Sequence, residues 1–133
     1  MSRKELERIF YLKKELSMWQ DRLRELQYDI ALSPKVIDGM PFQNTNSTSD
    51  PTQQKAIRLA EVSNVIKGKI AEIQFSIAEI ERFIISIDDS LIRMIIEYRC
   101  VNLLKWEEIA GRLGEGYTAE SVRQTYHRFV DKM

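Results

Sequence analysis

Apolar residues recur every three or four positions over the first part of the chain, at Leu6, Ile9, Leu12, Leu16, Trp19, Leu23, Leu26 and Ile30. Steps that alternate this way keep one stripe on one side of an α-helix. They predict a helix over 2–31, about 45 Å long at ~1.5 Å per residue. A second stripe, Ile66, Ile70, Ile73, Ile77, Ile80, Ile84 and Ile87, predicts another long helix from 51 to about 87. Val65, Phe75, Phe83 and Ile85 lie off that seam and widen the apolar face. Two such seams fit an antiparallel pair within one chain. The apolar face left over fits a second copy, so a homodimer is expected.

Breaks and caps divide the rest. Ser33-Pro34 stops the first helix, because the residue before a proline disfavours the helical conformation. Residues 33–50 carry Gly, Pro, Asn, Ser and Thr without a period and read as a flexible linker. Asp50-Pro51-Thr52-Gln53 supplies a cap, a first-turn proline and a capping-box-like glutamine for the second helix. Asp88-Asp89-Ser90 ends it and caps a third, with Leu91, Ile92, Ile95, Ile96 and Tyr98 as apolar members. Trp106, Ile109, Ala110 and Leu113, then Val122, Tyr126 and Phe129, predict two short amphipathic helices over 105–113 and 118–131. Gly114 and Gly116 bracket the turn between them, Thr118 is a good N-cap, and Glu120 suits the first turn. The fold class is all-α: a long helical hairpin or coiled coil, then a C-terminal three-helix bundle containing a helix-turn-helix. The segments are 1–32, 33–50, 51–88 and 89–133.

The runs DDSLIRMIIEYRCVNLLKWEEIAGRLG and YTAESVRQTYHRF, within Leu91 to Phe129, resemble the C-terminal helix-turn-helix of sigma factors, the part that reads the −35 promoter element. The whole chain is similar to small phage and prophage regulators that join a coiled-coil-like part to a sigma-like module, the late activators of the RinA and ArpU type. This resemblance implies a sequence-specific transcription regulator that acts with bacterial RNA polymerase. The chain departs from the pattern in two places. Lys105 stands where a capping Ser or Thr is usual, and Glu115-Gly116 lengthens the turn.

Composition narrows the reading further. Twenty Lys or Arg balance twenty Asp or Glu, so no strong net attraction to nucleic acid or membrane exists. From Ser90 to Met133 seven basic and six acidic residues leave a net of +1. Cys100 is the only cysteine and His127 the only histidine, so neither an intrachain disulfide nor a Cys/His zinc site is available. Cys100 sits in an apolar helix and reads as a buried thiol. The chain opens on MSRKELER with no signal peptide, and no run of ~18 apolar residues is present, so a cytoplasmic protein without a membrane span is expected. No Gly-rich phosphate loop, nucleophile constellation or metal motif appears. The chain reads as a non-enzyme, with no catalytic residue and no cofactor.

In a helix-turn-helix, the exposed side of the second helix enters the major groove of double-stranded DNA. Arg123 and Gln124 are of the types that read guanine and adenine edges, with His127 and Arg128 on the same exposed part. Thr118 and Ser121 near the helix start are candidates for phosphate, as are the flanking Lys105 and Arg112. Trp106 belongs to the apolar stripe and reads as core. The near-neutral module favours a second reading, a helical interaction module that binds RNA polymerase or a phage protein without reading DNA.

Overall fold

A computed structural model describes residues 1–32 and 51–133. The linker read over 33–50, with the Ser33-Pro34 stop and the Asp50 cap, lies outside the described residues. Among the described residues there are six α-helices and no strand: α1 (Arg3–Glu7), α2 (Ile9–Leu32), α3 (Pro51–Ser86), α4 (Ser90–Ile96), α5 (Trp106–Leu113) and α6 (Ala119–Asp131). A π-helical turn, Glu97–Val101, continues α4. No helix among them is long and apolar enough to cross a membrane.

The first long helix is interrupted. Ser2 caps α1 through a reciprocal box with Glu5, and α1 ends at Arg8, whose N–H is shared between the carbonyls of Lys4 (3.2 Å) and Glu5 (3.3 Å). The single helix expected over 2–31 is therefore two, because Arg8 tightens the turn while its dihedrals stay right-handed. The seam survives the break, and each of its eight positions is buried or half-buried. The isoleucine seam of α3 behaves alike, with Ile66, Ile73, Ile77, Ile80, Ile84 and Ile87 buried and Ile70 half-buried. Of the residues off that seam, Val65, Phe75 and Ile85 are exposed, and Phe83 is half-buried.

The chain forms two compact units, and both cut across the long helices. One combines Met1–Leu16 with Ile73–Met133. Its core gathers Leu6 and Ile9 near the N-terminus, four isoleucines of α3 (73, 77, 80, 84), and Ile95, Ile96, Cys100, Ile109, Val122, Tyr126 and Val130. In the other, Ser17–Glu72, Leu26 and Ile66 are buried, and so is Ser63 on the α3 seam. No buried side-chain polar atom among the described residues lacks a partner.

In the first unit α4 starts at Asp89, whose carboxylate accepts the Leu91 and Ile92 amides at 2.9 and 3.4 Å. Beyond Ile96 the register widens, and Asn102 N–H reaches the carbonyl of Glu97 five residues back. Sequence periodicity does not foretell this turn. Leu103 then takes φ +49°, a left-handed conformation that costs a non-glycine residue about 1–2 kcal/mol. Arg99 ties the corner down, donating from Nη1 to the Leu104 carbonyl at 2.9 Å. The bend redirects the chain into α5.

Candidate nucleic-acid interface

Two short helices frame the candidate surface, and the sequence accounts for their ends. Lys105 precedes α5 with extended dihedrals but makes no side-chain capping bond, as its identity predicts. Glu107 and Glu108 in the first turn interact favourably with the helix dipole instead. Gly114 and Gly116 have φ of +106° and +91°, which glycine adopts without steric penalty. Thr118 opens α6 with a capping box. Its Oγ1 accepts from Ser121 N–H at 3.1 Å, and Ser121 Oγ accepts from Thr118 N–H at 3.0 Å. The hydroxyl of Ser121 also donates to the Thr118 carbonyl at 2.9 Å.

Burial sets the orientation of α6. Val122, Tyr126 and Val130 are buried and Phe129 is half-buried, and α6 packs on α5 and α4. Val130 extends the expected Val122, Tyr126 and Phe129 stripe by one position. Gln124 and Arg128 fall on the opposite, exposed side, and Arg123 and His127 lie toward its edges. The half-buried His127 ring stands edge-on to Tyr126 at 5.4 Å, and 6.1 Å from the Trp106 ring of α5. Trp106 lies 5.2 Å from the Tyr126 ring, with the Arg99 guanidinium 4.2 Å from its own ring centre, so it is a structural ring. Arg112 sits 5.5 Å from the Tyr98 ring, and Lys105 is exposed.

Glu120 changes the electrostatics of this surface. Arg123 donates to it from Nε (3.0 Å) and Nη2 (2.6 Å), and Gln124 from Nε2 (3.2 Å). The Arg123 guanidinium holds the Glu120 carboxyl below the usual carboxylate range. The two base-reading candidates are thus brought together, on a carboxylate that neutralises one of them. In the sequence Glu120 is a first-turn dipole residue, and its i, i+3 and i+4 spacing to Arg123 and Gln124 carries the signal for this linkage. The capping box likewise commits the two hydroxyls proposed for phosphate. Ser121 donates its proton within the chain, and Thr118 Oγ1 is an acceptor there. Beside the α5–α6 turn a cleft of about 480 Å³ has Glu107, Glu115, Tyr117 and Thr118 on its walls, so the approach to the start of α6 is acidic.

Behind α6 the buried Cys100 and Tyr126 connect to Glu7, whose side chain is exposed. Tyr126 Oη donates to Glu7 Oε1 at 3.0 Å, and the Cys100 thiol lies 3.5 Å from Tyr126 Oη. Burial pushes the Cys100 thiol up to about 11 and raises the Tyr126 phenol as well. Cys100 is therefore a protonated, inaccessible thiol at neutral pH. The chain matches no protein-family profile, no curated protein and no solved structure.

Proposed function

We propose that this chain is a sequence-specific regulator of phage or prophage type that binds double-stranded DNA with α6. In this reading α4, α5 and α6 form a three-helix bundle whose last two helices are the helix-turn-helix. The seams of α2 and α3 pair as a long hairpin. The observation that carries the reading is α6 itself. It is a capped, thirteen-residue helix buried along Val122, Tyr126 and Val130, and it leaves Gln124 and Arg128 outward with Arg123 and His127 beside them. A helix held from behind with an exposed polar side is the form that enters a major groove. Lys105 and Arg112, on the neighbouring helix, supply phosphate contacts, and RNA polymerase is the partner that the sigma-like resemblance suggests.

The Glu120 linkage favours a second reading. A carboxylate that neutralises Arg123, in a module of net charge +1, suits a surface made for another protein. Selection of bound duplexes from a random pool separates the two. Direct readout enriches one sequence, and Arg123→Ala or Gln124→Ala then loses about 1–3 kcal/mol on it and relaxes one position. Lys105→Ala weakens every duplex alike and lowers the salt slope by about 0.9. A pool that yields no enriched sequence leaves the interaction module as the function.

A further inference from the structure

We propose that the outer face of α3 between Phe75 and Ile85 is a two-fold interface with a second copy of this chain. The seam of α3 is used up within the chain, since Ile77, Ile80 and Ile84 are buried. The side away from it is not. Phe75 is 61% and Ile85 73% exposed, and they flank Ala78, Glu79 and Arg82 on the same half of the helix. These two large apolar side chains stand about 15 Å apart along one half of α3, at ~1.5 Å per residue. The interval between them carries an exposed acid and an exposed base, neither in an ion pair among the described residues.

The order of these residues selects the partner. Along the helix they run apolar, negative, positive, apolar: Phe75, Glu79, Arg82, Ile85. Read backwards, the pattern is the same with the charges exchanged. A second copy laid antiparallel, with the two-fold axis between positions 80 and 81, puts Glu79 of each chain opposite Arg82 of the other. At about 1.5 Å per residue, Phe75 lies ~8 Å from that axis and Ile85 ~7 Å, so each phenylalanine meets the isoleucine of the second copy. Ala78 lies between them, where a small side chain permits close approach. A parallel copy would instead set Glu79 on Glu79 and Arg82 on Arg82. An isologous contact needs this self-complementarity, and like charges set face to face select against the wrong pairing. The patch is small beside a standard interface, so the dimer is weak and concentration-dependent.

Association through this face is measured without DNA and is independent of DNA binding. Sedimentation of the full chain from about one to several hundred micromolar gives a monomer–dimer equilibrium. Glu79→Arg alone and Arg82→Glu alone are each monomeric over that range, because each places like charges in both contacts. An equimolar mixture of the two variants restores a dimer, now a heterodimer with both ion pairs reformed. Phe75→Ser weakens association at least tenfold. All of these positions are exposed, so circular dichroism and melting temperature stay those of the wild type. A wild-type monomer throughout overturns the proposal. So does a dimer indifferent to the charge reversals, or a mixture that stays monomeric while both variants are folded.

Discussion

Glu120 is the residue on which the character of the α6 surface turns. It binds Arg123 through two nitrogens and Gln124 through one, and all three side chains are exposed. On a DNA-binding surface, Glu120→Gln frees a guanidinium and removes a charge that repels phosphate. Affinity for a scrambled duplex should then rise, and the salt slope should steepen by about 0.9; unchanged binding would place Arg123 outside the contact. Cys100 yields a test of a different kind. Its thiol ionises near 9.0 when unfolded and near 11 in the fold, so the folded state holds its proton longer. The contribution is fully present below about pH 9 and is lost as pH rises through 11. Its size is about 2–3 kcal/mol for a shift of that order. Urea unfolding between pH 8 and 11 should show stability falling in the wild type, and falling less in Cys100→Ala.

At the scale of elements, one mechanism makes two predictions of opposite sign. Thr118 caps α6 with a reciprocal box, so Thr118→Ala should cost about 1 kcal/mol. Lys105 has the dihedrals of a cap and no capping bond, so Lys105→Ser should stabilise α5 by up to about 1 kcal/mol. Thermal melts of the two variants should move in opposite directions, and a Lys105→Ser melt below wild type would mean that Lys105 has a packing role. These ends were legible in the sequence because capping is local: Asp89 and Thr118 act on amides two or three residues away. The seams were legible for a similar reason, since burial on a helix repeats with its own period. The π turn at Glu97–Val101 was not, because a shift from four to five residues in hydrogen-bond register leaves the local hydrophobic pattern almost unchanged. The break at Arg8 was hidden in the same way, behind a seam that runs through it.

Across the whole molecule, the contacts that matter most join residues far apart in sequence, where periodicity is silent. Tyr126 donates to Glu7 across 119 positions, and Leu6 and Ile9 are fully buried in the unit that holds α4, α5 and α6. A boundary placed at 88/89 marks a change of pattern, but the compact unit that contains the candidate interface also takes in Met1–Leu16 and Ile73 onward. The N-terminus is thus part of the support for α6. Leu6→Ala should cost about 2–5 kcal/mol, the usual range for emptying a buried leucine site. Tyr126→Phe, which removes the hydroxyl shared by Glu7 and Cys100, should cost about 1 kcal/mol. The sharper test is residues 89–133 alone, in which Trp106 is the only tryptophan. Its fluorescence should resemble that of an exposed indole and show no cooperative melt, while the full chain melts cooperatively. If the isolated segment instead melts within a few degrees of the full chain, Leu6, Ile9 and Glu7 only decorate a bundle that folds without them. The position of α6 would then rest on α4 and α5 alone.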